Sequence, residues 1–307
     1  MEISVQSGGI VDRIGAENCY ASIKAAGFTA IDWNIDHALS SKDIKGLTYA
    51  GKSVFERSLQ EVIDYHASEL NAIRKHGLAI TQAHAPFPAY VPGHPEVLEY
   101  MIHVYENCIR LCHYAGCKNL VIHGISLEES DQINTPETIA ALNLHLYESL
   151  IPTLLECDVT VCLENLFTRR PAPTEGACSD PHEAVLLIDA LNEKAGREVF
   201  GFCLDVGHLQ LLNKNFRTYI PILGKRIKAL HLHDNDGQDD LHLAPMTGIV
   251  NWAVLCDCLK EIGYDGDISF ETFMQVRIAQ RFDDALLMPW LTLICKMGES
   301  FRNRINN

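Results

Sequence analysis

The chain predicts a single (β/α)8 barrel, and two observations carry that expectation. Eight short apolar runs rich in β-branched and aromatic residues recur along the 307 residues, at 3–5, 30–33, 78–84, 120–123, 159–164, 201–205, 227–233 and 267–271. Amphipathic stretches of helix length separate most of them, which is the alternation of a parallel sheet with crossover helices. Nearly all of the runs also end in a carboxylate or an imidazole. In a closed barrel the C-terminal strand ends form one rim and carry the chemistry, so His84, His123, Glu164, Asp205, His231, His233 and Glu271 are expected to converge there.

Helix signals fill the spaces between the runs. Residues 12–26 read as a helix ending at Gly27, residues 53–76 as one ending at Gly77, and residues 95–115 as one ending at Gly116, each glycine serving as a C-terminal stop. Thr135 followed by Pro136 opens a helix to about residue 156, and Asp180 followed by Pro181 opens one to about residue 194, with the polar residue as N-cap and proline in the first turn. Further helices are expected at 251–262 and 279–297. With no linker or low-complexity segment, residues 1–307 read as one domain. Two longer loops break the rhythm, at about 36–52 and 168–178, the second containing Arg169, Arg170, Pro171, Ala172 and Pro173. Both would lie on the rim that carries the site, as lids or substrate walls.

Bulk properties narrow the partners. Forty Asp plus Glu against 25 Lys plus Arg leave a net charge of -15, a field that repels phosphate backbones and anionic membranes, so nucleic acid and membrane are disfavoured partners. The start, MEISVQSGGI, is strand-like rather than signal-like, and no run reaches transmembrane length, which predicts a cytoplasmic protein. The 11 cysteines contain no CxxC pair and suit reduced, mostly buried thiols rather than a structural zinc cluster.

The carboxylates carry the chemistry. Glu164 ends VCLE, Asp205 ends FCLD and Glu271 ends ISFE, each after residues that should be strand and at least half buried. Three acids held together raise one another's pKa or bind a cation, and His231 at the end of KALH supplies a nitrogen donor to such an ion. His208, three residues after Asp205 in DVGH, is a ligand or substrate-binding candidate. His84, His123, Asp240 and His242 are substrate-binding candidates around it. His37, His66, His76, His94, His103, His113, His145 and His182 fall in helices or outer loops and are assigned no chemistry.

The motifs HAPFP, CLENL, CLDVGHL, LHLHDND, DDLHLAPMTGIVNW and ISFET resemble those of the xylose isomerase-like TIM-barrel superfamily, the sugar phosphate isomerase/epimerase group that also contains endonuclease IV. The resemblance runs from the first strand to the eighth. It implies one divalent ion, commonly Mn2+ with Mg2+, Co2+ or Zn2+ as alternatives, on Glu164, Asp205, His231 and Glu271, with the two glutamates as the catalytic acid/base pair and the residue matching His208 on a substrate oxygen. It implies a sugar isomerase or epimerase that abstracts a proton next to a carbonyl through a metal-stabilised enediolate, acting on a small-molecule sugar, and it allows a homo-oligomer. Gly237 stands where the ketose 3-epimerases carry an arginine six residues beyond the histidine ligand, which leaves the substrate open. The same site could expel a β-substituent as a lyase or dehydratase, C-glycoside cleavage included. Endonuclease IV is a further alternative, because His84, His123, Glu164, Asp205, His208, His231, Asp240, His242 and Glu271 match all nine ligands of its trinuclear zinc site. A non-catalytic barrel subunit is the last, and the intact ligand set speaks against it.

Overall fold

A computed structural model describes residues 1–127, 135–170 and 172–307. Ten strands are present among these: β1 (Ile3–Gln6), β2 (Ala30–Asn34), β3 (Ala79–His84), β4 (Asn119–Ile122), β5 (Thr160–Glu164), β6 (Phe167–Arg170), β7 (Ala172–Glu175), β8 (Phe200–Asp205), β9 (Ile227–His231) and β10 (Ile268–Phe270). All but β6 and β7 form one parallel sheet in the order β10-β1-β2-β3-β4-β5-β8-β9. The sheet closes through Leu232, just past β9, whose N–H donates to the Ser269 carbonyl (3.0 Å) and whose carbonyl accepts from the Glu271 N–H (3.1 Å). Eight parallel strands with surrounding helices make the expected (β/α)8 barrel.

Alternation along the strands divides two interiors. Outward residues such as Ile31, Trp33, Leu120, Leu163, Phe202 and Leu230 join the large core between sheet and helices. Inside the barrel, Val121, Cys162, Cys203 and Ala229 form a small separate cluster. Around them the barrel also buries Ser4, Asp32, Gln82 and Ser269, an unusually polar lining, and Gln82 Nε2 donates to Asp32 Oδ2 at 2.8 Å. All 11 cysteines are free, and all but Cys178 are buried. Among the described residues no helix is long and apolar enough to cross a membrane.

Most helix boundaries fall where the capping signals put them. Thr135 and Asp180 cap the helices Pro136–Glu156 and Pro181–Ala195 with their side-chain oxygens, and Gly116 takes the left-handed conformation that ends Pro95–Ala115. Three expectations need correction. The single helix expected over 53–76 is broken. Ser58 and Glu61 form a capping box that starts Leu59–Tyr65, and a turn at His66 separates it from Ala67–Lys75 and buries the His66 ring. The closing helix is two, Phe273–Phe282 and Leu287–Asn306, because Asp283 turns its side chain onto the Ala285 N–H and opens a new turn. The two rim loops are also structured: residues 36–52 hold the turn Asp36–Ala38 and the helix Ser41–Lys45, and β6 and β7 form an antiparallel hairpin. Pro171 in that hairpin lies outside the described residues.

Candidate metal centre

The chemistry collects at the C-terminal mouth of the barrel. Asp205 closes β8 and at once caps the helix Val206–Leu211, its Oδ1 accepting from the His208 N–H at 2.7 Å. Asn165, the residue after β5, braces it by exchanging two hydrogen bonds with the Asp205 backbone, 2.9 Å to Oδ1 and 2.8 Å from Nδ2. A backbone clamped on both sides fixes where that carboxylate points.

His231 is the hub. Its Nδ1 lies 3.3 Å from Glu164 Oε1, 3.5 Å from Glu271 Oε2 and 3.9 Å from Asp205 Oδ2, and neither of its ring nitrogens makes a hydrogen bond although the residue is fully buried. Burial alone would lower its pKa, but the surrounding Cys203, Glu271 and Glu164 push it well above the usual imidazole range. Glu164 is likewise held well below the carboxylate range: burial opposes this, and His231 and His123 outweigh it. Three carboxylates around one unpartnered imidazole nitrogen are what a divalent cation with oxygen and nitrogen ligands requires. Glu164, Asp205 and His231 bring one donor atom each within 4.8 Å of one another, so these residues fit the ion that the motifs imply.

The flanking histidines form two wings. On one side His123 Nε2 sits 3.0 Å from Glu164 Oε2 and 3.1 Å from His84 Nε2. Burial would depress both rings; Glu164 lifts His84 to about 9, while for His123 burial wins and the pKa falls. On the other side His208 Nδ1 is 2.8 Å from the Asn165 carbonyl and its Nε2 is 3.6 Å from Asp240 Oδ2, which lies 2.9 Å from His242 Nε2. His242 is lifted to about 9 against burial by Glu271 and Asp240. Its backbone sits at φ 44°, a left-handed conformation that a non-glycine residue adopts at a cost, and its Nδ1 meets the Glu271 carbonyl at 3.1 Å. Every site residue singled out from the sequence therefore reaches the mouth.

Four supporting residues were missed or left without a role in the sequence. Gln6 donates to Glu271 Oε1 at 3.1 Å. His233, expected at the rim but given no part, lies 3.1 Å from both Asp205 oxygens and stacks on His242 with ring centroids 4.1 Å apart. Gly207 makes room for it, since a Cβ there would stand 1.9 Å from His233 Cε1. Asp32 lies one layer deeper, with Oδ2 3.5 Å from His231 Nε2. An acid centred in the apolar run AIDWN on the inward-facing parity was the available signal for it.

Above the centre opens a cavity of about 760 Å3 whose walls include Asp36, Lys45, Phe87, Tyr90, Phe167 and Phe273. Asp36 and Lys45 come from the first expected rim loop and Phe167 from the hairpin. The third wall, Phe87 to Pro92, is the proline-rich run after β3. Phe167 also lies against the His208 ring, at a centroid distance of 5.0 Å.

The model of the xylose isomerase-like TIM barrel family matches residues 20–288. The chain belongs to that family. Within reach of sequence comparison, the uncharacterized protein y4fM of Sinorhizobium fredii is 22% identical over 259 residues, 82% of this chain and 79% of that protein. Among solved structures the family fold recurs in a D-tagatose 3-epimerase-like protein (22% identity, TM-score 0.66, 97% of this chain and 99% of that one). It recurs also in the 3-keto-D-glucoside 4-epimerase YcjR of E. coli (15% identity, TM-score 0.65, 95% and 98%). The D-allulose 3-epimerase of Methylomonas sp. is similar to the same extent (14% identity, TM-score 0.66, 97% of each chain).

Proposed function

We propose that this chain is a divalent-metal-dependent sugar isomerase or epimerase that moves a proton next to a carbonyl. The observation that carries the reading is Glu164 and Glu271 both facing His231 Nδ1, at 3.3 and 3.5 Å, with Asp205 completing three carboxylates and one imidazole. A divalent ion held by these four, which we take to be manganese, would polarise the carbonyl of a bound ketose and acidify the neighbouring C–H. Glu164, kept ionised by His231 and His123, would take the proton from carbon; Glu271, steadied by Gln6 and open to the cavity, would pick up a proton from solvent and deliver it to the enediolate carbon. Return to the opposite face yields an epimer and return to the adjacent carbon an isomer. His84, His123, His208, Asp240 and His242 offer hydrogen-bonding groups to the sugar oxygens, and Phe87, Phe167 and Phe273 give its carbon face an apolar wall. The names of the similar structures, ketose 3-epimerases and a 3-keto-glucoside epimerase, agree with this class of substrate.

The test is a panel of free ketoses, ketose phosphates and 3-keto-glycosides incubated in deuterated water with manganese. Conversion accompanied by solvent deuterium on a carbon next to the carbonyl is expected. Glu164→Gln and Glu271→Gln should each lower turnover by about a thousandfold or more, since each removes a metal charge and a proton carrier together. Activity within about tenfold of wild type would remove that residue from the mechanism.

A second reading, a zinc phosphodiesterase, draws on the separate His84, His123 and Glu164 grouping and on the His208, Asp240 and His242 wing. Against it stand the net charge of -15 and a described cavity wall on which Lys45 is the one lysine or arginine. Three zinc ions at the barrel mouth and robust incision of an abasic duplex, with no conversion across the sugar panel, would decide for it.

A further inference from the structure

Outside the barrel mouth, the turn after β2 meets the break between the helices Leu59–Tyr65 and Ala67–Lys75, and there a second set of donors comes together. His37 Nε2 lies 3.6 Å from Glu69 Oε1, and His66 Nδ1 lies 3.8 Å from the same oxygen. All three residues bring one donor atom within 4.8 Å of the others.

Each donor is arranged as a ligand rather than as one half of an ordinary hydrogen bond. The other carboxylate oxygen, Glu69 Oε2, accepts from Tyr20 Oη at 2.5 Å and from Trp33 Nε1 at 3.1 Å, which fixes the carboxylate plane and leaves Oε1 to the two histidines. His37 Nδ1 lies 2.5 Å from the Asn34 carbonyl, so Nδ1 carries a proton there and Nε2 is the nitrogen turned toward Glu69. A backbone carbonyl on the far nitrogen is the usual brace of a metal-bound imidazole. His66 is 1% exposed, boxed by Trp33, Phe55 and Tyr65, and neither of its ring nitrogens has a hydrogen-bond partner in the protein. A buried imidazole with both nitrogens unpaired calls for an explanation, and a bound ion beside Nδ1 supplies one.

The spacing suits a small d-block cation. Ligands about 2.1 Å from a tetrahedral ion are about 3.4 Å apart; the two distances to Glu69, 3.6 and 3.8 Å, lie within a few tenths of an ångström of that, and all three donors lie within 4.8 Å of one another. Two imidazoles and one carboxylate leave a fourth position. His37 and Glu69 line a cavity of about 170 Å3 that also reaches Asn34 and Asp36, through which an ion or a water can enter. We propose that His37, His66 and Glu69 form a second metal site, distinct from the barrel-mouth centre, taking one zinc-class divalent cation with its open position toward this cavity. Asn34 and Asp36 line both cavities, so an ion held here would stiffen the wall that the turn after β2 contributes to the main one.

The experiment counts ions. Wild type and His37→Ala are dialysed against zinc, then analysed for metal content, and titrated with cobalt to follow the visible ligand-field bands of a low-coordinate site. His37 is a third exposed, so its truncation leaves the core untouched, which an unchanged metal-free melting curve checks. Glu69→Gln, nearly isosteric, provides a second variant. We expect both variants to hold one equivalent fewer than wild type, or to bind the last equivalent at least tenfold more weakly, and to lose one set of cobalt bands. The same difference should persist between proteins that also carry Asp205→Asn, which weakens only the barrel-mouth centre. Equal stoichiometry, affinity and spectra in wild type and His37→Ala would overturn the proposal, as would a difference that vanishes in the Asp205→Asn background.

Discussion

At the scale of single residues, the layer beneath the candidate ligands decides how well they are aimed. Asp32 Oδ2, 3.5 Å from His231 Nε2 and held by Gln82 at 2.8 Å, is placed to take the imidazole proton on the side away from Glu164 and Glu271. A carboxylate behind a metal-bound histidine both orients the ring and raises its basicity. Asp32→Asn should therefore weaken manganese binding at the barrel mouth by about 10- to 100-fold while the far-UV spectrum stays native. Calorimetric titration of the metal-free protein measures this, and unchanged affinity would leave Asp32 with a purely structural part. The candidate ligands themselves were legible in the sequence because each stands at the end of an apolar run. Asp32 and His233 were harder to see, since their meaning lies in what they meet on other strands, His231 on β9 for Asp32 and Asp205 on β8 for His233.

At the scale of elements, the hairpin β6–β7 is an addition to the barrel rather than part of its frame. Its base is already closed by Leu166 and its partners, the Leu166 N–H donating to the Ala177 carbonyl at 2.9 Å and the Gly176 N–H to the Leu166 carbonyl at 3.1 Å. Removal of residues 167–175, with a short glycine turn joining Leu166 to Gly176, should leave the barrel folded and its metal content unchanged. Phe167 leaves the cavity wall and the His208 ring in that variant, so KM for the true sugar substrate should rise at least about tenfold, more than kcat falls. Steady-state kinetics on the shortened protein checks this; an unaltered KM would mean that the hairpin takes no part in binding. Prolines and charges at 168–178 marked an irregular rim segment, but strand pairing there depends on the partner strand, which composition does not reveal. The same holds for the helix break at His66: Ser58 and Glu61 announced a helix start, while the turn itself answers to the aromatic box that receives the ring.

At the scale of the whole molecule, charge buried at the barrel mouth links stability to pH and metal. His84 and His242 are lifted to about 9 in the folded chain, above the ordinary imidazole value of about 6.5. Between those values the metal-free folded state binds more protons than the unfolded chain, so stability falls as pH rises through that window. The melting temperature of the metal-free protein should drop by several degrees from pH 6.5 to 9. Added manganese should raise it, and by more at pH 9 than at pH 6.5, because His84 and His242 have by then lost much of the positive charge that repels a cation at the barrel mouth. Thermal melts with chelator and with metal at both values test this; a flat or rising curve for the metal-free protein would count against the protonated pair.

By itself the sequence determined the barrel and the rim, because hydrophobic periodicity and capping are local: eight apolar runs, helix stops at glycine, and polar ends whose parity sends them to one face. It also marked Glu164, Asp205, His231 and Glu271 as the acids and imidazole of one rim. Only the tertiary structure decided which residues back them. Asp32 meets His231 across the barrel, Gln6 meets Glu271 across the seam between β10 and β1, and Gly207 yields its side-chain space to His233. Only the packed chain, likewise, brings His37 to His66 and Glu69, since His37 lies on the turn after β2 whereas the other two stand three residues apart where Ala67–Lys75 begins. Local pattern acts through neighbours in the chain, whereas a site is a convergence of segments far apart in it, and burial and register set that convergence once the barrel has closed.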